Sequence, residues 1–304
     1  MIPVVIFAYN RPIHLKKCIE SLLACKGIEN TPLIIYCDGI KDLRNLKEVE
    51  NISIVRDLVR NLYWPGEKSI IESDFNKGLA DSIITGLDLV FQKYQSAIIL
   101  EDDLIVGVDF LNYMKHSLVK YSTIEKVKQI SAYQFPINNI QVNNESFFLP
   151  ITNTWGWATW KRVWVEVNFQ PNDYNLLQKN QEMRHRFNIQ NSYNYSGMLY
   201  RQMRDKKFGS WGIRFYWHVF KIDGLTLYPD YSLVQHLDLN YSGTHPTNFE
   251  QFNYTNWINS YNINLFPENI SAHMNYMKLV VEFLKTRKRT INFFSKIKYL
   301  FIKK

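Results

Sequence analysis

The sequence has few cysteines, no long apolar run and no charged leader before its first apolar segment. Its 304 residues include three cysteines, Cys18, Cys25 and Cys37. They lie in or beside apolar runs and match no disulfide framework or metal-ligand spacing, which favours reduced core thiols in a cytosolic protein. No stretch reaches about 18 uncharged apolar residues, and no basic segment precedes the first apolar run. We therefore expect neither a membrane-spanning helix nor a signal peptide.

The main part of the chain also lacks a net charge. From Lys278 onward nine basic residues stand against one acid, Glu282, so this end carries the whole surplus of +8. A neutral body excludes the basic face that nucleic-acid binding requires, and we expect no nucleic-acid partner. A composition of 46% hydrophobic and 15% aromatic residues is sufficient for a folded core and excludes a disordered polyampholyte.

The basic end has an apolar pattern of its own. Apolar residues recur there near helical spacing between lysines and arginines: Val280, Phe283, Leu284, Ile291, Phe294, Ile297 and Phe301. This pattern predicts a basic amphipathic helix on an anionic membrane surface. A helix packed on the body and a disordered tail are the alternatives.

Apolar runs and amphipathic segments alternate through the first hundred residues. Strands are predicted at 3–9, 32–37, 68–72 and 97–100, and helices at 13–25, 42–62 and 79–94. Short connections between them predict an α/β fold with a mostly parallel sheet and helices on both faces. Further helices are predicted at 108–122, 172–188 and 195–206, and strands at 128–132 and within 224–234.

Three carboxylates, Glu101, Asp102 and Asp103, directly follow the fourth predicted strand. Ligands bind outside the carboxyl ends of strands in such sheets. Adjacent carboxylates repel one another unless a cation lies among them, and oxygen ligands suit Mg²⁺ or Mn²⁺ held jointly with phosphates. A solvated acidic turn is the alternative.

Other polar groups follow the remaining strands. Asn10 and Arg11 could contact a diphosphate, Asp38-Gly39 a ribose or base, and Asn76-Lys77-Gly78 a phosphate through a helix start. Each is also an ordinary helix cap or turn. His245, on a turn-like segment, could bind a metal or phosphate, or be a surface residue.

A segment with three tryptophans within six residues, 155–160, could stack on sugar rings. Trp157, Trp160 and Trp164 have helix-like spacing, which favours a core role for some of them. We expect at least one of these rings in the core and one in a pocket.

Taken together, these motifs resemble the nucleotide-sugar motifs of GT-A-fold glycosyltransferases. They are similar to those of bacterial family-2-like sugar transferases, which resemble in turn the N-acetylglucosaminyltransferase I group with its Glu-Asp-Asp. The likeness covers about residues 1–246 and is carried by 7–12, 36–39, 76–79, 99–103, 155–160, 210–211 and 242–245.

The resemblance implies a role for each matched residue. Ala8, Asn10, Arg11 and Asp38 would bind the nucleoside and diphosphate, together with Asn76, Gly78 and Glu101. Asp102 would meet the ribose or sugar, and Asp103 would coordinate Mn²⁺ or Mg²⁺, with His245 as a further metal candidate. Trp157 would shape the sugar and acceptor pocket.

The general base has no clear counterpart, because residues 195–204 contain no acid and Gly209 stands before Ser210 where relatives have Asp. Asp205 is the nearest candidate.

The resemblance divides the chain into a GT-A domain, 1–270, and a basic tail, 271–304. Residues 1–105 would form the nucleotide-sugar-binding half of the domain, and 106–270 the acceptor half. The implied activity is metal-assisted, inverting transfer of a hexosyl or N-acetylhexosaminyl group, with a UDP-sugar donor favoured. The acceptor would be a glycan or lipid-linked sugar in surface polysaccharide synthesis, at the cytoplasmic face of the inner membrane.

Two other functions remain open at this level. A degenerate transferase could serve as a sugar-binding or scaffold protein, which the missing base would favour. A sugar-nucleotide nucleotidyltransferase also uses an α/β fold with acidic metal ligands. That class needs a glycine-rich phosphate loop near the N-terminus, and residues 8–16 contain no glycine.

Overall fold

A computed structural model describes residues 1–137, 142–204, 210–237 and 257–286. Strands and helices alternate through its first part: β1 (Val4–Ala8), α1 (Pro12–Leu23), β2 (Leu33–Cys37), α2 (Leu46–Arg60), β3 (Lys68–Glu72), α3 (Leu79–Lys93), β4 (Ser96–Glu101), β5 (Leu104–Val106) and α4 (Phe110–Lys120). The second part contains β6 (Val127–Ser131), β7 (Ser146–Leu149), β8 (Trp157–Trp160), α5 (Lys161–Trp164), α6 (Leu176–Lys179), α7 (Gln181–Phe187), α8 (Tyr195–Arg204), α9 (Trp211–Lys221), β9 (Leu225–Pro229) and β10 (Val234–His236).

Eight strands form one mostly parallel sheet in the order β3-β2-β1-β4-β8-β6-β9-β7. Strands β3, β2, β1 and β4 run parallel, and β8 is antiparallel to both of its neighbours, β4 and β6. Strand β9 is parallel to β6, and the edge strand β7 is antiparallel to β9. The predicted α/β class with a mostly parallel sheet is confirmed.

Local sequence accounts for the first strands and helices. All five residues of β1 are buried, as expected for a central parallel strand covered on both faces. Helix α1 starts with Pro12, whose missing N–H costs nothing at a helix start, and it buries Leu15, Cys18, Ile19 and Leu22 on one stripe. The three cysteines are free and buried.

A second, two-stranded sheet lies beside the acidic triplet. Strand β10 pairs antiparallel with β5, which places His236 opposite Leu104. The backbone N–H of Leu237 donates to the carbonyl oxygen of Asp103 at 2.8 Å. A segment more than 130 residues away in sequence is thereby held against the end of β4.

The tryptophan-rich segment forms a strand at Trp157–Trp160, although its spacing is helix-like. Trp157 and Trp160 belong to strand β8, inserted between β4 and β6, and all four residues of this strand are buried. The predicted helix at 172–188 is instead two short helices, α6 and α7, separated at Asn180, whose side chain accepts from the Met183 N–H. Pairing with distant strands and local capping outweigh the periodicity here.

The predicted tail begins within the body of the protein. Residues 274–286 are helical, and Val280 and Leu284 lie in the hydrophobic core. Tyr276 stacks on Phe147 of β7 with ring centroids 3.6 Å apart. Residues 271–286 therefore belong to the body rather than to a separate tail beginning after residue 270, because these apolar side chains pack against the sheet edge. Residues 287–304 lie outside the described part of the chain.

In the described ranges, no helix combines the length and apolar character needed to cross a bilayer.

Candidate active site

The acidic triplet lies at the carboxyl edge of the sheet, where β1 and β4 end side by side. Phe7 of β1 is in register with Glu101, the last residue of β4. Parallel pairing therefore brings the residues that follow Ala8 next to Asp102 and Asp103. The sequence prediction that these two motifs meet at one edge is confirmed by the register.

Arg11 forms ion pairs with both aspartates. Its Nη1 lies 2.5 Å from Asp103 Oδ2, and its Nη2 donates to Asp102 Oδ1. The backbone N–H of Tyr9 donates to the other oxygen of Asp102 at 3.2 Å. The cation among the carboxylates in this structure is thus a guanidinium. It neutralises part of the negative charge for which the sequence analysis expected a metal ion.

Asp103 has a second neighbour, a histidine, that the sequence analysis missed. The Nε2 atom of His236 lies 3.2 Å from Asp103 Oδ2. His236 follows no recognisable motif, and only the pairing of β10 with β5 brings it to the site. The histidine proposed from sequence, His245, lies outside the described residues, as does the candidate base Asp205.

Burial and charge act together on the pKa values of this cluster. Burial alone would raise the pKa of Asp103, but the hydrogen bond and charge of His236 and the charge of Arg11 lower it to about 2. Burial lowers the pKa of His236, yet the hydrogen bond and charge of Asp103 outweigh it and give a net rise. Each of the two groups therefore favours the charged form of the other.

The other two carboxylates are affected in the opposite direction. Burial, followed by the charge of Asp103, raises the pKa of Glu101 to about 8, against the lowering effect of Arg11. Burial also raises the pKa of Asp102, again opposed by Arg11. Removal from water therefore disfavours a triple negative charge at this edge.

One buried oxygen of the cluster suits a metal ion. Asp103 Oδ1 is buried and has no hydrogen-bond partner among the described residues. A carboxylate oxygen is the ligand type that Mg²⁺ and Mn²⁺ prefer. Within the described ranges, no group of three or more His, Cys, Asp or Glu side chains is placed to hold a metal ion. The residues present fit a site in which Asp103 supplies a ligand and substrate phosphates supply others.

Asp38 binds its own chain in this structure. Its Oδ1 accepts from the N–H groups of Gly39 and Lys77, both at 2.8 Å. Its Oδ2 accepts from Gly78 N at 2.9 Å and from Asn76 Nδ2 at 3.0 Å. Four hydrogen bonds fill the acceptor sites of a carboxylate. These bonds tie the end of β2 to the start of α3, and the contact of Asp38 with a ribose or base stays a prediction.

The glycines beside Asp38 serve the same tie. A Cβ atom at Gly39 would collide with the backbone of Phe75, so this position allows close approach of the protein chain rather than of a ligand. Gly78 has φ +78 and ψ 159 as it enters α3, a conformation that L side chains rarely adopt. Both glycines keep the 76–78 loop against Asp38.

Replacing Asp38 by Asn is expected to lower the free energy of unfolding by about 1–3 kcal/mol, because an amide N–H₂ would face donors now bound by Oδ2. Urea unfolding followed by circular dichroism measures the change. Asp74→Asn is the matched control, since Asp74 is an exposed carboxylate near the same loop. Unchanged stability of Asp38→Asn with weakened nucleotide binding would instead support a direct ligand contact.

Tyr9 is held from two sides. Its backbone contacts Asp102, and its hydroxyl donates to Glu48 Oε1 at 2.7 Å. The same Glu48 oxygen accepts from Lys41 N at 2.6 Å, which draws the loop after β2 toward β1. Glu48 is buried and connects the loop after β2 to the end of β1, and no sequence motif pointed to it.

Trp157 does not line a pocket. Its side chain is 1% exposed and packs on Trp211, with centroids 5.0 Å apart, and near Trp164 and Phe215. Trp155 is half-buried instead, 4.9 Å from Tyr133 and 5.2 Å from the ring of His236. The expectation of at least one tryptophan in the core is met by Trp157, so its assignment to the pocket was wrong, whereas a pocket role for another of these rings stays a prediction.

Fold and site together define an α/β protein with a carboxylate–arginine cluster at the carboxyl edge of a mostly parallel sheet. The model of the GNT-I family matches residues 1–174, more than half of the chain. The chain belongs to the GNT-I family.

Several solved glycosyltransferase structures are similar at low identity. A fragment of S. aureus TarS, residues 1–349, is 12% identical with a TM-score of 0.45, and the match covers 77% of this chain and 60% of the fragment. The same fragment in complex with UDP is 14% identical with a TM-score of 0.33, covering 47% and 38%. Mouse xyloside xylosyltransferase 1 is 11% identical with a TM-score of 0.38, covering 73% and 82%. This chain thus spans less than two thirds of the TarS fragment, and similarity at this level carries no information on the site.

Proposed function

We propose that the protein transfers a sugar from a nucleotide-sugar donor to a hydroxyl of a glycan or lipid-linked acceptor. The observation that carries the proposal is the unpartnered Asp103 Oδ1 beside Arg11, at the sheet edge of a GNT-I family chain. A UDP-sugar is the favoured donor, with a hexosyl or N-acetylhexosaminyl group. The acceptor class would be surface polysaccharide, assembled at the cytoplasmic face of the inner membrane.

Asp103 and Arg11 would have complementary roles in donor binding. A bound Mn²⁺ or Mg²⁺, held through Asp103, would neutralise negative charge on the departing nucleoside diphosphate. Arg11 orients Asp102 and Asp103 through its two ion pairs and adds a fixed positive charge next to the diphosphate. His236 holds Asp103 from the opposite side.

Loops around this cluster would shape the donor pocket. Asp38 holds the 76–78 loop, and Glu48 holds Tyr9, so both loops are ordered before the donor binds. Because these loops are already ordered, less of the binding free energy is lost to ordering them. Trp155, rather than Trp157, would contact the sugar or acceptor, because its half-buried ring lies 5.2 Å from the ring of His236.

Fewer residues can be assigned to the acceptor side of the reaction. Inverting transfer needs a general base on the acceptor hydroxyl, and Asp205 is the candidate. A tail contact with an anionic membrane would use residues 287–304, since Val280 and Leu284 are committed to the core. Both assignments concern residues outside the described ranges.

The test is incubation with Mn²⁺ and a panel of nucleotide sugars, followed by the release of nucleoside diphosphate. We expect release with one donor class, and its loss when EDTA removes the metal. Failure to bind or cleave any donor would contradict the transferase proposal. Donor binding without turnover, with acceptors supplied, would favour a sugar-binding protein. Conversion of a nucleotide sugar and added pyrophosphate to a nucleoside triphosphate and a sugar 1-phosphate would favour a nucleotidyltransferase.

A further inference from the structure

Arg11 contacts the same carboxylates that would hold a metal ion. Its Nη1 atom lies 2.5 Å from Asp103 Oδ2, and its Nη2 atom donates to Asp102 Oδ1. The side chains of Asp102 and Asp103 are almost fully buried, with exposed fractions of 2% and 6%. Because buried charges are screened little by water and salt, this guanidinium acts strongly on any other cation that binds Asp103.

The backbone on both sides of Arg11 fixes the position of its charge. Arg11 directly precedes α1, and its carbonyl oxygen accepts from the N–H of Leu15 at 3.0 Å. The following Pro12 restricts the backbone of Arg11 further. On the other side, the N–H of Tyr9 donates to Asp102 Oδ2 at 3.2 Å. The segment is therefore tied to the sheet edge and to the helix, and the positive charge stays beside the aspartates.

The protein itself offers few ligands to a metal ion at this edge. Asp103 Oδ2 is shared by Arg11 and by His236 Nε2, at 3.2 Å, whereas Oδ1 is buried without a partner. Both oxygens of Asp102 accept hydrogen bonds. The described ranges hold no group of three or more His, Cys, Asp or Glu side chains placed for a metal. Mg²⁺ and Mn²⁺ prefer a larger set of oxygen ligands, which phosphates supply in many sites.

We propose that Arg11 opposes metal binding until a nucleoside diphosphate is present, so that metal and nucleotide bind together. The inference rests on the proposed function, because it concerns the metal site at Asp103. A divalent ion alone is repelled by the guanidinium and gains few protein ligands. A diphosphate supplies oxygen ligands to the ion, and its negative charge is attracted by Arg11 as well. Since coupling between two ligands is reciprocal, each raises the affinity of the protein for the other.

Replacing Arg11 separates its two opposite effects. Arg11→Met is expected to bind Mn²⁺ alone about tenfold or more tightly than wild type, because one positive charge beside the ligand is removed. The direction of this change does not depend on the charge of Glu101 or His236. The affinity of the same variant for UDP without metal should fall. Arg11→Lys keeps the positive charge and should bind Mn²⁺ alone as weakly as wild type.

The experiment is titration of Mn²⁺ into the full chain with and without UDP, with the free ion measured by electron paramagnetic resonance. UDP should raise the Mn²⁺ affinity of wild type, and this increase should be smaller in Arg11→Met. Asp103→Asn should lose Mn²⁺ binding under both conditions. The matched control is Arg44→Met, which removes an exposed arginine paired with Asp42 at 3.0 Å and should titrate like wild type.

Thermal melting gives a second readout and verifies that each variant is folded. Mn²⁺ alone should raise the melting temperature of Arg11→Met more than that of wild type, because the ion binds this folded variant more tightly. Arg11→Gln replaces Arg11→Met if the latter does not fold. Wild type that binds Mn²⁺ equally well with and without UDP would overturn the inference.

The outcomes also separate this inference from the proposed function. If Arg11→Met binds Mn²⁺ alone no more tightly than wild type, while UDP still strengthens binding, the role of Arg11 is refuted and the metal site remains. If neither protein binds Mn²⁺ with or without UDP, the metal assignment at Asp103 fails together with the inference. Neither measurement depends on sugar transfer, which the donor panel tests separately.

Discussion

Replacing Asp103 by Asn will lower the rate of donor cleavage by about 100-fold or more, because the variant loses a charged ligand where negative charge develops on the leaving group. Its affinity for a nucleotide sugar should also lose most of its dependence on Mn²⁺. Calorimetric titration with and without Mn²⁺ measures the binding effect, and release of nucleoside diphosphate measures the rate. The two readouts separate a metal ligand from a residue that only supports the fold.

The control is Asp223→Asn. Asp223 is an exposed carboxylate paired with Arg186 at 2.6 Å, far in sequence from the candidate site. It should leave rate and metal dependence unchanged. If Asp103→Asn retained wild-type turnover with the same response to Mn²⁺, Asp103 would be an ion-pair partner of Arg11 and His236 and nothing more.

Replacing Trp157 by Ala will lower the free energy of unfolding by about 3–5 kcal/mol, the range for removing a large aromatic side chain from a core. The ring contacts Trp211, Trp164 and Phe215, and no solvent reaches it. Urea unfolding followed by circular dichroism measures the loss. Any fall in activity should follow the loss of folded protein.

Trp155→Ala is the matched comparison. This half-buried ring, beside His236 and Tyr133, should cost only about 1–2 kcal/mol, since part of its surface is already in water. Its larger effect should be on the KM for donor or acceptor. A stable Trp157→Ala variant that had lost sugar binding would restore the sequence-based assignment of that residue to the pocket.

Much of the first hundred residues could be predicted from local patterns. Strands β1, β2 and β4 are short apolar runs, and α1 and α3 have amphipathic patterns, because each of these elements buries one continuous set of side chains. Strand β3 has the predicted bounds of 68–72. Helix α2 begins at Leu46, later than predicted, because Glu48 folds residues 41 and 42 back toward Tyr9.

The second half followed local patterns less closely. Strand β8 was not recognised in the sequence, because the spacing of its tryptophans suggested a helix. It is a strand because it pairs with β4 on one side and β6 on the other. Strand β10, only three residues long, has too little sequence for any periodicity. Elements of this kind are determined by partners distant in the chain, and a single sequence contains no direct record of such pairs.

The sequence alone determined which residue types meet at the ligand edge. Asp102, Asp103 and Arg11 follow strands whose carboxyl ends lie along one edge of a parallel sheet, and the pairing of β1 with β4 brings them together there. Only the tertiary structure decided what each group touches. In the folded protein Arg11 forms ion pairs with the two aspartates, and His236 lies beside Asp103. Asp38 accepts hydrogen bonds from the backbone N–H groups of residues 77 and 78. The physical reason is that a strand pattern specifies an edge and a face, whereas hydrogen bonds and burial depend on distances of a few ångströms between segments far apart in the chain.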